Sequence, residues 1–151
     1  MTELDHRRLG VDLYNATWVL LERDDRTPAD DDAMLGRAYA SLHHWSQVPQ
    51  VRSANLGRGH WLVSRVHAVL GLADAAAHHA ARYVAIARAG DVDDWDLAAA
   101  FEASARAAAV GGDLEAADRF EAQAWEALTA VADAEDRAVV EADLAALPRR
   151  S

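Results

Sequence analysis

Residues 55 to 83 read NLGRGHWLVSRVHAVLGLADAAAHHAARY, and this stretch decides the fold. Leu56, His60, Val63, His67 and Leu70 recur at helical spacing along one stripe, and Gly71 stops the helix that carries them. A second helix follows at once. Leu72, Ala76, His79, Tyr83 and Ile86 share one of its faces, while Asp74, His78 and Arg82 sit on another. The turn spans only a few residues, so the two helices lie antiparallel, and the alanine-rich run from Ala75 to Ala81 lets their backbones approach closely. The unit is a helical hairpin.

The flanking sequence repeats the pattern. On the N-terminal side, a first helix is expected from about Thr2 to Arg23, with Leu9, Leu13 and Ala16 to Leu21 toward the core and Thr2 and Asp5 spaced as a capping pair. Thr27, Pro28 and the aspartates Asp30, Asp31 and Asp32 then form a strong helix start, because carboxylates complement the free N–H groups there. This acidic run has neither the central glycine nor the closing glutamate of a calcium loop. The second helix should reach Gln47, with Leu35, Tyr39 and Leu42 on one stripe and Met34, Ala38, Ser41 and Trp45 on the next.

Beyond the hairpin, Gly90 stops the fourth helix, Asp93 is positioned to cap a fifth, and Gly111 and Gly112 end it. Asp113 caps a sixth helix running to about Ala132, and Asp133 starts a short seventh that stops before Pro148. The expected architecture is therefore a single all-α domain of about seven helices: hairpins over 2–47, 51–89 and 93–132, and a terminal helix over 134–147. A length of 151 residues and a hydrophobic content of 52% suit one domain with a sizeable core.

Superposing Gly71 on Gly112 sets Ala76 over Ala117 and Tyr83 over Ala124, an internal period of 41 residues. A glycine turn followed five residues later by a packed alanine resembles the tetratricopeptide repeat, here with a longer period and with Ala108 where that repeat favours an aromatic. Further motifs are N-x-x-W at Asn15 to Trp18, H-W at His44 and Trp45, and R-G-x-W-x-x-S-R-V at Arg58 to Val66. H-A at His79, D-x-D-L-A from Asp94, E-A-x-A-R-A from Glu102 and E-D-R from Glu135 complete the set. Together they resemble a group of small bacterial proteins with a tetratricopeptide-like fold. The resemblance implies hairpins stacked as a right-handed superhelix, and it carries no established activity.

Composition excludes several chemistries. All fifteen basic residues are arginine, which removes Schiff-base and amine-nucleophile mechanisms. The absence of cysteine removes thiolate catalysis and disulfides. A net charge of −10 opposes sequence-independent binding to nucleic acid. MTELDHRRLG has no apolar signal-peptide core and no apolar run reaches membrane-spanning length, so a cytoplasmic protein without membrane association is expected. No nucleophile elbow, phosphate-cradling glycine loop or dinucleotide fingerprint is present.

Three groups of residues remain as candidates. Glu102 lies on a small-residue stripe with Ala98, Ala105 and Ala109, where a buried carboxylate needs a partner such as Arg106 one turn on; an ordinary intrahelical ion pair competes with a catalytic acid. His79 sits on the apolar stripe of its helix and is either a hydrogen-bonded core residue or a general base. His60 and His67 stand two turns apart, roughly 10.5 Å of rise, too far to chelate one ion unaided. An inter-helix set of His44, His60, His79 and Glu102 has the chemistry for zinc, iron or copper. Finally, Arg58 and Arg65 share one side of the third helix, away from the His60 stripe, with Asn55 nearby. Two guanidiniums there would either hold a carboxylate or phosphate or pair with the chain's many aspartates, and Trp61 would either line a pocket or fill the core.

Two functions follow as expectations. One is a cytoplasmic module holding a peptide, protein or small-molecule ligand on the face built from the first helices of the hairpins, with Asn55, Arg58, Trp61 and Arg65 in contact. The other is a small enzyme or metal-binding accessory protein of a biosynthetic pathway using the histidines and Glu102, with a divalent transition metal as the cofactor. Apolar surface at the terminal helices would favour a homo-oligomer.

Overall fold

The computed structural model describes residues 4–148, and all of its regular structure is helical. Seven helices follow in order: α1 (His6–Leu21), α2 (Pro28–Ser46), α3 (Ser53–Val69), α4 (Ala73–Ala89), α5 (Asp96–Val110), α6 (Leu114–Leu128) and α7 (Ala134–Ala145). No described helix is long and apolar enough to cross a membrane.

The local start signals act as expected at three helices. Thr27 and Asp30 form a reciprocal capping box at α2, Asp113 accepts from Ala116 N at α6, and Asp133 accepts from Glu135 N and Asp136 N at α7. Two expectations change. The cap of α1 is Asp5, whose carboxylate accepts from Arg8 N at 3.0 Å; Thr2 lies outside the described residues. Helix α5 begins at Asp96 rather than beside Asp93, because the Asp93 carboxylate is taken by Arg58 and Arg52, while Asp96 accepts from Asp93 N at 2.8 Å.

The 41-residue period is visible in the turns. Leu72 N donates to His67 O at 2.8 Å and Asp113 N to Ala108 O at 3.0 Å, the same closing bond one period apart. In each turn a glycine takes the left-handed conformation this bond requires, Gly71 at φ 77° and Gly112 at φ 80°. Both helices that follow bury the equivalent positions, Ala76 and Tyr83 on α4, Ala117 and Ala124 on α6.

Every helix packs on its neighbours in sequence, and α1 also touches α3, α3 touches α5, and α5 touches α7. By backbone packing α1, α3, α5 and α7 form one layer and α2, α4 and α6 another, and α2 reaches α4 through the Tyr39 and His79 side chains. Helix α5 is the centre: eleven of its fifteen residues are buried, which its alanines permit because a small side chain lets a partner approach on every side. Glycines serve the same end on α3, where a Cβ at Gly57 would stand 2.8 Å from the Tyr83 ring.

On α2 the buried stripe is the second of the two expected, and on α4 it is rotated slightly from the expected one. On α2, Met34, Ala38, Ser41 and Trp45 are buried while Tyr39 is 41% exposed; on α4, Ala76, Ala80, Tyr83 and Ala87 are buried and Leu72 is exposed. Trp61 packs against both major apolar clusters, one around Leu62, Val63 and Met34 and one around Phe101, Leu128 and Leu144.

Candidate functional site

The layer of α1, α3, α5 and α7 forms a part-open cavity of about 320 Å³. Tyr14 and Trp18 enter it from α1, Arg58 and Trp61 from α3, and Trp95 from the residue that precedes α5. Asp136, Val139, Val140 and Asp143 close it from α7, and Tyr83 forms part of its wall. Trp18 and Trp61 stack with centroids 5.7 Å apart. A second cavity, of about 220 Å³, adjoins the first through Tyr14 and Arg58 and is lined also by Asn15, Trp45 and Asn55.

Arg58 fixes the floor of this site. Its Nε donates to Asp96 Oδ1 at 3.1 Å and its Nη2 to Asp96 Oδ2 at 3.0 Å and Asp93 Oδ2 at 2.7 Å. Asp96 is fully buried and also accepts from the Tyr83 hydroxyl. Burial opposes the charge on Arg58, but Asp96 and Asp93 more than offset it and hold the guanidinium protonated above its ordinary range. The same guanidinium lies 4.3 Å from the centroid of the Trp95 ring. Burial, then the Asp96 charge, pushes the Tyr83 hydroxyl well above the usual tyrosine range, so it stays a donor.

Arg65 forms a second anchor. It reaches Asp143 Oδ1 at 2.7 Å and Glu102 Oε1 at 3.7 Å, and stands 5.1 Å from the centroid of Trp61. Glu102, 1% exposed, meets Arg106 at 2.7 Å, and Arg106 also donates to Asp143 O at the end of α7. Burial raises the Glu102 carboxyl and lowers the Arg106 guanidinium, each against the attraction of the other. This is a structural tie between α3, α5 and α7. The arginine contacts all fall on Glu102 Oε1, so the charge of this buried carboxylate is matched by Arg106 and Arg65.

The expected metal set is not assembled. His44 pairs instead with His6, Nδ1 to Nδ1 at 2.9 Å, and Glu102 is held by arginines, so only His60 and His79 of the four come together. Among the described residues no three His, Asp or Glu side chains are grouped to hold a metal ion. The reason is rotational: the spacing of His44 puts it on the α1 side of α2, and Glu102 turns toward α7 rather than α4.

His60 and His79 belong to a different constellation. Their Nδ1 atoms lie 3.0 Å apart, His79 Nε2 is 3.2 Å from the Tyr39 hydroxyl, and that hydroxyl is 2.7 Å from His67 Nε2. The chain joins α2, α3 and α4: the Tyr39 hydroxyl donates to one of its two imidazoles and accepts from the other, and the His60–His79 link needs one neutral imidazole to accept. Burial pushes both His60 and His79 down to about 4, helped at His60 by the charge of Arg82 and at His79 by His60 itself. Burial also lowers His67, whose Nδ1 is buried with no partner among the described residues.

Of the expected ligand residues, Arg58 and Trp61 line the 320 Å³ cavity, Asn55 lines the adjoining one, and Arg65 lies behind Trp61 with Asp143. Sequence reasoning missed Tyr14, Tyr83, Asp96, Asp136 and Asp143. Tyr14 stands beside the Asn15 to Trp18 motif, and a stripe of Val139, Val140 and Asp143 on α7 would have been the signal for the closing wall. Compared with known proteins, the chain matches no family, no curated protein and no solved structure.

Proposed function

We propose that the chain is a cytoplasmic ligand-binding module of tetratricopeptide-like build, with its site in the cavity between α1, α3, α5 and α7. The observation that carries this reading is the cavity itself: three tryptophans and two tyrosines line about 320 Å³ together with Arg58, Asp136 and Asp143. That volume suits a small ligand or one side chain of a peptide, and an apolar wall with few oriented polar groups is the usual composition of a binding site. Aromatic rings supply contact area at little entropic cost, and the double tie of Arg58 and Arg65 holds them in place before any ligand arrives. The repeated glycine turns and the odd-on-odd helix contacts support the hairpin stack.

Three of the lining residues are tryptophans, so occupancy should change intrinsic fluorescence. Screening a fragment collection by fluorescence and thermal shift, alongside Trp18→Ala, tests the reading. Fragments that stabilise the wild type and lose at least about fivefold in affinity in the variant support it. Fragments whose binding ignores Trp18 would remove the cavity as the site.

A second reading, a catalytic or metal-binding accessory protein, is favoured by one observation: the linked His60, His79, Tyr39 and His67 side chains can pass a proton along three hydrogen bonds. Elemental analysis of untagged protein, with His60→Ala and His79→Ala as controls, tests its metal form. A stoichiometric metal lost in either variant would bring this reading forward.

A further inference from the structure

We infer that the cavity takes a small organic cation, its charge at Asp136 and its apolar substituents against Tyr14, Trp18 and Trp95. The inference rests on the cavity being the binding site and adds the chemical class of the ligand.

Charge at the cavity is unevenly matched. Arg58 is satisfied by Asp96 and Asp93, and Arg65 by Asp143 and Glu102. Asp136 lines the cavity, and among the described residues no arginine lies within ion-pair distance of it. Asp136 is partly exposed and its charged neighbours are instead Asp133, Asp94, Asp93 and Glu135; its partial desolvation together with these four raises its carboxyl above the usual range. One carboxylate at the cavity wall therefore lacks a counter-ion. A ligand cation would supply it, whereas a ligand anion would meet this acidic group and would have to displace two carboxylates from Arg58.

The aromatic wall points the same way. The negative faces of indole rings attract cations, and two rings of this wall already hold one each: Arg58 on Trp95 and Arg65 on Trp61. Trp18, stacked on Trp61, and Tyr14 carry no cation of the protein's own among the described contacts. An alkylated ammonium fits these surfaces because its methyl groups are apolar enough to leave water while its charge stays spread over them.

Three probes of one shape isolate charge: choline (cation), 3,3-dimethylbutan-1-ol (neutral) and 3,3-dimethylbutanoate (anion). Each is titrated into the full chain and followed by tryptophan fluorescence and calorimetry. Choline is expected to bind about tenfold more tightly than the neutral isostere, with the anion weakest. Asp136→Asn should bring choline to within about twofold of the neutral probe, with the helical circular dichroism unchanged. Equal binding of choline and its neutral isostere, or preference for the anion, would overturn the inference while leaving the cavity as a ligand site. Binding of choline that is untouched by both Asp136→Asn and Trp18→Ala would also overturn it, by placing the cation elsewhere. Should none of the probes bind while neutral fragments bind through Trp18, the cation assignment fails alone; should the fragments fail too, both readings fail.

Discussion

The Arg58 guanidinium grips the fully buried Asp96 carboxylate by two parallel contacts, Nε to Oδ1 at 3.1 Å and Nη2 to Oδ2 at 3.0 Å. This pair joins α3 to the first turn of α5, and its guanidinium lines the cavity. A carboxylate removed from water at that place is tolerable only because Arg58, Tyr83 and Asp93 N all donate to it. Breaking the pair leaves a charge without its partner. Asp96→Ala should therefore cost about 3 kcal/mol in urea unfolding, and Arg58→Lys, which keeps charge but loses the fork, should cost less. Equal losses in the two variants would show that the fork geometry contributes nothing.

Glu102 and Arg106 give a contrasting case, because both partners are buried. Glu102→Leu alone leaves Arg106 with the backbone carbonyls of Asp143 and Ala146, and should destabilise by about 3 kcal/mol. The double variant Glu102→Leu with Arg106→Met replaces the pair by apolar volume, and should recover at least about 1 kcal/mol of that loss. Additive losses in the double-mutant cycle would mean the two side chains act independently. Neither single variant should alter the fluorescence response to a cavity ligand, since Glu102 does not line the cavity.

The difference between these groups explains what could be read beforehand. Helix starts at Thr27, Asp113 and Asp133 were legible because a cap bonds the backbone two or three residues on, a distance contained in the sequence. Asp93 misled because a guanidinium 35 positions away claims its carboxylate. The all-helical class and the seven elements follow from periodicity and glycine placement. Spacing also puts His44 and His60 on particular faces, but it is silent on which helix each face meets, so His44 found His6 and the four-residue metal set did not form. The cavity was the least legible feature: Tyr14 and Asp136 come from opposite ends of the chain and meet only after every hairpin has stacked.

Two glycine substitutions should move stability in opposite directions. Gly36 sits on an exposed turn of α2 with open space where a Cβ would go, so Gly36→Ala should stabilise by about 0.5–1 kcal/mol through helix propensity. Gly57 faces the Tyr83 ring, and a Cβ there would stand 2.8 Å from it. Gly57→Ala should cost about 2 kcal/mol, because Tyr83 is held by Asp96 and cannot turn aside. Thermal melts of both variants check this, and stabilisation by Gly57→Ala would mean that α3 and α4 have slack between them.

The touching pair His60 and His79 predicts an acid-sensitive stability. Both are held down to about 4 in the folded chain, first by burial and then by Arg82 at His60 and by His60 at His79, while the unfolded chain takes up protons near the ordinary histidine value of 6.5. Between those values the unfolded state binds more protons, so stability is complete above about pH 6.5 and falls as pH drops toward 4. Tyr39 and His67 face the pair from α2 and α3 and bring no carboxylate to offset the charge. After allowance for solvent screening of these half-buried rings, the loss should be about 2 kcal/mol for the pair together. Carboxylates titrate across part of the same range, so the quantity to measure is the difference between wild type and a His60→Gln, His79→Gln double variant. Urea unfolding from pH 7.5 to 4.5 should show the two profiles converging as pH falls; parallel profiles would mean that the imidazoles accept protons in the folded chain as readily as in the unfolded one.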